Sequence, residues 1–131
     1  MPDASIILKW VLEKDEEYQD EAITFLKGWL NQEYEFLLPS LWFYEVGNVL
    51  GMKRPKDAGD ILNILLEYEF NECHISKELV TMAIGLMNEF KGVTFYDAIY
   101  HALALQVNGI MITADKAYFE KVKGKGNITL V

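Results

Sequence analysis

Thr94-Phe95-Tyr96-Asp97-Ala98-Ile99-Tyr100-His101-Ala102-Leu103-Ala104 is the stretch on which the reading of this chain turns. Thr94 is a good helix N-cap, and Asp97 follows three residues later, just ahead of an apolar run, which is a capping-box pattern. At 100° per residue the apolar side chains Ala98, Ile99, Ala102, Leu103 and Leu105 cover most of the helix surface, so the helix is expected to be buried. Asp97, His101 and Asn108 form its one narrow polar stripe. A carboxylate is thereby set at the positive end of a buried helix. Capping alone accounts for it locally; a functional role has to be argued from the rest of the chain.

Outward from this helix, helices and short strands alternate. Asn108-Gly109 stops the helix. Residues 110–113 form an apolar strand of the kind covered on both faces. Ala114-Asp115 opens another helix, and residues 128–131 make a last strand beyond the glycines at 124 and 126. Toward the N-terminus, Gly92 separates the central helix from one capped by Ser76 and ending near Phe90. A strand is expected over residues 70–75, and a helix before it reaches about residue 66. The basic turn Lys53-Arg54-Pro55-Lys56 precedes that helix. A helix over 41–52 is expected to be capped by Ser40, with Pro39 ending a strand over 35–38. A helix over 20–31 follows the acidic run Asp15-Glu16-Glu17-Tyr18-Gln19-Asp20-Glu21, which reads as a solvated helix start. Asp3 is placed to cap a helix over 4–12. Alternation of this kind predicts an α/β fold, a parallel sheet covered on both faces. Right-handed crossovers bring the strand C-terminal ends to one edge, where ligands bind in such folds. With no repeat and no linker, residues 1–131 read as a single domain.

Composition narrows the function. The chain has 131 residues, half of them hydrophobic, enough for a sizeable core. Cys73 is its only cysteine, so neither an intrachain disulfide nor a cysteine-rich zinc site is available. There is no cationic leader before an apolar core and no apolar run near the roughly 18 residues of a membrane span, which points to a cytoplasmic protein without membrane contact. The net charge is −8, with residues 1–39 at −6 and the segment from Thr113 onward at +2. An acidic chain is a poor general nucleic-acid binder, so any nucleic acid must be met by cations beside the site. Lys9, Arg54, Lys116, Lys121, Lys123 and Lys125 are the candidates for RNA-phosphate contacts, although a solvated surface explains most of them equally.

Glu45 is the second informative residue. On a helical wheel it falls between Leu41, Trp42, Val49 and Met52, which puts a carboxylate on the buried side of its helix. Proteins avoid buried charge unless it is paired or bound to metal. No Lys or Arg lies one turn away, leaving a distant salt bridge or a metal. Asp3 and Asp115 stand at strand-to-helix junctions, and Asp97 begins a helix, so four carboxylates from four parts of the chain can converge at one edge. Capping explains the three aspartates separately but not Glu45. Oxygen-only ligands suit Mg²⁺ or Mn²⁺. Ser5 and Thr113 could donate to these carboxylates or act as local caps. His101, one turn after Asp97, could orient it or be a partly exposed helix histidine.

Four segments carry a resemblance: Asp3-Ala4-Ser5 with Leu8-Lys9-Trp10; Glu45-Val46-Gly47-Asn48-Val49-Leu50; Tyr96-Asp97-Ala98-Ile99-Tyr100-His101-Ala102-Leu103-Ala104; and Thr113-Ala114-Asp115. In order and spacing they resemble the signature segments of PIN-domain proteins, in particular VapC-type toxins of VapBC toxin–antitoxin pairs. The resemblance implies a three-layer α/β/α sandwich with a short central parallel sheet. It also implies a metal-dependent ribonuclease whose acidic quartet is Asp3, Glu45, Asp97 and Asp115, a homodimer, and a small antitoxin that enters the active-site groove. The alternatives are a non-catalytic PIN scaffold and a housekeeping RNA-processing nuclease. The family places an apolar strand before its first aspartate, whereas only Met1 and Pro2 precede Asp3 here. Either the chain is shortened at its start or its central strand is very short.

Overall fold

The computed structural model describes residues 1–12 and 18–131; residues 13–17, which hold part of the acidic run, lie outside the described residues. Seven α-helices and four short strands follow one another: α1 (Ala4–Val11), α2 (Gln19–Leu30), β1 (Leu37–Pro39), α3 (Trp42–Lys53), α4 (Ala58–Glu67), β2 (Asn71–Cys73), α5 (Lys77–Glu89), α6 (Phe95–Gln106), β3 (Met111–Thr113), α7 (Lys116–Val122) and β4 (Ile128–Leu130), with a 3₁₀ turn Lys123–Lys125 before β4. The fold is α/β, as expected.

The sheet is more broken than an alternating pattern suggests. β1 pairs in parallel with β2, and β3 with β4, as two separate ladders. The N-terminal residues lie against β3, and Pro2 makes a single parallel bridge to Ile112. Three bonds hold them there: the Met1 amine to the Ile110 carbonyl at 2.8 Å, the Ile112 amide to the Met1 carbonyl at 2.8 Å, and the Asp3 amide to the Ile112 carbonyl at 3.0 Å. Residues 1 and 3 therefore face β3. Residue 2 alternates away from it and is a proline with no N–H to offer a second ladder. The central strand is thus reduced to one bridge, and α6, which packs against both β1 and β3, joins the two ladders through side chains instead.

Both faces are covered. The main core gathers Ile7, Leu38, Trp42, Leu50, Ile99, Leu103 and Met111, among others, while Ile6, Ala22 and Ile112 form a smaller cluster under α1 and α2. Trp10 and Trp29 stack on Phe36 with ring centroids 5.7 and 5.6 Å apart, bracing those two helices against the segment leading into β1. All seven residues from Ala98 to Ala104 are buried, so α6 is core on every side. Caps at Asp3, Ser76, Thr94 and Asp115 each accept a backbone N–H of their own helix.

Two local expectations are corrected. Pro39 does not stop β1 but pairs with Cys73 as its last residue, which its position at the end of a strand permits. Ser40 does not cap α3: the helix starts one residue later than expected, with Leu41 as N-cap and no side-chain cap bond, while the Ser40 amide bonds to the Cys73 carbonyl. Cys73 is half-buried, and its thiol bonds to the adjacent His74 carbonyl.

Candidate metal centre

Each of the four carboxylates enters from the first turn, or just before the first turn, of a helix; for Asp3, Glu45 and Asp115 that helix follows a strand or bridge, and for Asp97 it follows α5. Asp3 caps α1 directly after the Pro2 bridge and is buried, 4 % exposed. Its Oδ1 accepts from the Ile6 amide at 3.2 Å and from the Ser5 hydroxyl. Burial pushes its carboxyl up to about 6; the Ser5 and Thr113 hydroxyls and the Ile6 amide pull the other way, and the charge of Asp97 adds to the rise. Of the two roles the sequence allowed it, Ser5 takes the first and is not a local cap. It donates to Asp3, and its oxygen accepts from the Ala114 amide at 2.9 Å, tying the start of α1 to the end of β3. Thr113 is fully buried, and its hydroxyl oxygen accepts from the Asp115 amide at 3.0 Å.

Glu45 lies in the first turn of α3. The buried face of that helix is Trp42, Val46 and Leu50; Glu45 is half-buried on its flank, and Met52, expected beside it in the core, is 79 % exposed. No salt bridge reaches Glu45 among the described residues. Its Oε2 instead accepts from the Tyr100 hydroxyl at 3.1 Å. Burial raises its carboxyl to about 7, opposed by Tyr100 and reinforced by Asp3 and Asp97.

Asp97 is half-buried in the first turn of α6. The Thr94 oxygen accepts from the Asp97 amide at 3.2 Å, and the Thr94 hydroxyl donates to Asp97 Oδ2 at 3.0 Å. The carboxyl is raised by burial, then lowered by Thr94 and raised by Asp115. Asp115 caps α7, with Oδ1 accepting from the Tyr118 amide at 2.9 Å, and is exposed. Mutual electrostatic influence thus links Asp3 with Asp97, Glu45 with both, and Asp97 with Asp115.

Two tyrosines that the sequence did not single out border this group. Tyr100 is fully buried in α6, and its phenol is driven strongly upward by burial and then by Glu45, Asp3 and Asp97. Tyr118 is raised by burial and by Asp97, Asp3 and Asp115. The only trace in the sequence is their spacing, each three residues after a candidate aspartate. His101 is neither partly exposed nor bonded to Asp97. It is fully buried, with Nδ1 3.0 Å from the Tyr118 hydroxyl and Nε2 2.8 Å from the Gly126 carbonyl. A carbonyl only accepts, so Nε2 carries the proton and Nδ1 takes the phenol's hydrogen. Burial lowers its affinity for a second proton.

The basic candidates divide. Lys9 is buried within α1. Arg54 pairs with Asp57 at 2.8 Å, Lys123 with Glu120 at 2.6 Å, and Lys125 with Glu89 at 2.8 Å. Lys116 is exposed immediately after Asp115, and the Lys121 ammonium lies against Gly92, two residues before the cap of α6.

The donor set consists of carboxylate oxygens, the chemistry that suits a hard divalent cation such as Mg²⁺ or Mn²⁺. Among the described residues, no three Asp, Glu, His or Cys side chains already stand in a geometry that holds an ion. Like-charged carboxylates keep apart until a cation draws them together. In Glu45, Asp97 and Asp115, one oxygen is fixed by the hydrogen bonds given above, and the second has no hydrogen-bond donor among the described residues. The donor chemistry fits.

The sequence profile described as PIN domain matches residues 1–125. No curated protein matches the chain. A solved structure described as a toxin–antitoxin complex from Klebsiella pneumoniae is similar in fold, with a TM-score of 0.71 at 20% identity over 98% of this chain and 93% of that one.

Proposed function

The chain belongs to the PIN domain family, and from that premise we propose that it is a divalent-metal-dependent endoribonuclease, the toxin of a toxin–antitoxin pair, working in the cytoplasm as a homodimer. One feature supports the reading: the carboxylates come from four separate segments yet lie near enough for Asp97 to bear on Asp3, for both to bear on Glu45, and for Asp115 to bear on Asp97. A stabilising role would have placed cations among them, and no Lys or Arg salt bridge reaches them among the described residues. Burying Asp3 fully and Glu45 and Asp97 in part, near like charges and without a salt bridge, is costly, and function explains it better than folding.

Asp3, Glu45, Asp97 and Asp115 would hold Mg²⁺ or Mn²⁺, which when bound activates a water and offsets charge on the phosphodiester being cut. This chain's own part is positioning. The Ser5 hydroxyl and Ile6 amide fix Asp3, Thr94 fixes Asp97, Tyr100 fixes Glu45, and the Tyr118 amide fixes Asp115. Lys116, exposed next to Asp115 in sequence, and Lys121, against Gly92, would meet RNA phosphates. The partner is a small antitoxin protein that blocks the cleft with an arginine or lysine, since a cluster of carboxylates attracts such a side chain.

Purified protein incubated with RNA and Mg²⁺ or Mn²⁺, with and without chelator, tests the reaction. Cleavage is expected only with the metal. Cleavage that persists unchanged in chelator overturns the mechanism.

A further inference from the structure

Resting on the metal-site reading above, the geometry points to Tyr100 as the residue that makes this site select small octahedral cations over Ca²⁺, by holding one oxygen of Glu45 out of the coordination shell. The phenol ring is fully buried in α6, a helix with no side facing solvent, so the hydroxyl position is set by the core. That hydroxyl meets Glu45 Oε2 at 3.1 Å across 55 residues of sequence. A phenol is un-ionised at neutral pH, so it remains a hydrogen-bond donor.

A carboxylate with one oxygen committed to a fixed donor is left with a single oxygen for a metal. Mg²⁺ and Mn²⁺ accept this, since six-coordinate geometry with short bonds is met by monodentate carboxylates and water. Ca²⁺ prefers more ligands, commonly with a carboxylate gripping it through both oxygens. Thr94 on Asp97 Oδ2 and the Tyr118 amide on Asp115 Oδ1 impose the same restriction at two other corners. Those donors lie on local caps and are shared with helix geometry. Tyr100 alone among them reaches between two helices, and its hydroxyl can be removed without disturbing a cap.

The test is isothermal titration of the metal-free protein with Mn²⁺, Mg²⁺ and Ca²⁺, for the unaltered chain and for Tyr100→Phe, with melting in chelator to establish folding. Loss of the hydroxyl lets Glu45 turn both oxygens to the ion. Mn²⁺ and Mg²⁺ affinities are expected to fall by about 10-fold, as when an outer hydrogen bond to a ligand is lost, while Ca²⁺ affinity holds or rises. Should Tyr100→Phe fail to fold, Glu45→Asp serves instead, because the shorter side chain withdraws from the phenol and should also lower the Mn²⁺-to-Ca²⁺ ratio. A ratio unchanged in the folded variant, with all three affinities falling together or none moving, overturns the role given to Tyr100 and leaves the site standing. An unaltered protein that binds none of the three overturns the site reading itself, and this inference with it.

Discussion

The Nδ1 of His101 lies 3.0 Å from the hydroxyl of Tyr118, and the pair ties the helix carrying Asp97 to the helix carrying Asp115. The other ring nitrogen donates to the Gly126 carbonyl at a residue with φ +81, so the imidazole also anchors the turn into β4. Tyr118→Phe strands a fully buried acceptor. Its expected cost is about 1–3 kcal/mol, the penalty for an unsatisfied buried polar group. Urea denaturation checks this; unchanged stability would mean that water replaces the phenol.

Capping and metal binding at Asp97 differ in sign. A pure cap replaced by asparagine changes little or loses stability, and metal response survives. If Asp97 belongs to the cluster, Asp97→Asn relieves repulsion, so the chelated protein melts at the same or a higher temperature while cleavage and the Mn²⁺-induced shift disappear. Thr94 can still donate to the amide oxygen, which keeps the cap comparable. A destabilised, active variant with its Mn²⁺ shift intact would return Asp97 to capping.

Acidity should stabilise the metal-free fold. Asp3 is raised from 3.8 to about 6 and Glu45 from 4.5 to about 7, so the folded chain holds protons that the unfolded chain has released. Their contribution is complete below the ordinary values and is lost as pH rises through 6 and then 7. Melting temperature in chelator is expected to fall from pH 4 to pH 6; above that the buried Met1 amine, lowered to about 6, and His101, also lowered by burial, work in the opposite direction to Glu45. Saturating Mn²⁺ should add stability at the upper end. Because Glu45 is only half-buried, its share is moderated by solvent. Glu45→Gln should flatten the upper part of the slope; an unaltered slope would contradict its assignment.

RNA contact is expected at Lys116 and Lys121 rather than across the whole basic tail. Replacing both with alanine should weaken binding and reduce the salt slope by about 1–2, one phosphate contact each. Lys123→Ala and Lys125→Ala, which break exposed pairs with Glu120 and Glu89, should change the slope far less. Filter binding over a range of salt concentrations distinguishes the two pairs.

Co-expression with a small protein encoded in a neighbouring reading frame should yield a stable complex without nuclease activity. Full activity in that complex would rule out a partner that blocks the carboxylates.

The parts of this fold that were legible in the sequence are those set by neighbouring residues. Thr94, Ser76, Asp3 and Asp115 cap helices where their spacing says they should, because a cap is a contact within one turn. The PIN-domain resemblance is borne out by the profile match over residues 1–125. What failed depended on distant partners. Ser40 continues the pairing of β1 with β2 through its amide and α3 starts one residue beyond it, and Glu45 proved to sit on a flank because Val46 and Leu50, not Val49 and Met52, meet the core. His101 failed in both expected roles: the wheel set it on a polar stripe beside Asp97, and it is fully buried against the phenol of Tyr118. The division of the sheet turned on one proline whose lack of an N–H mattered only once its neighbours were known to face β3.

The uninterrupted burial of residues 98–104 in α6 bears on how this protein opens. A helix with a solvent side can fray or loosen while its inner face stays packed, so its amides exchange through small local fluctuations. α6 has no such side, and releasing any part of that run means opening the layers on both sides of it. Its amides should therefore exchange with solvent hydrogen only at the rate of whole-domain unfolding. Asp97, just ahead of that run, stands at the edge of the slowest-exchanging segment in the chain. Cation binding should therefore register as added protection in the looser first turns of α3 and α7, which carry Glu45 and Asp115 toward it.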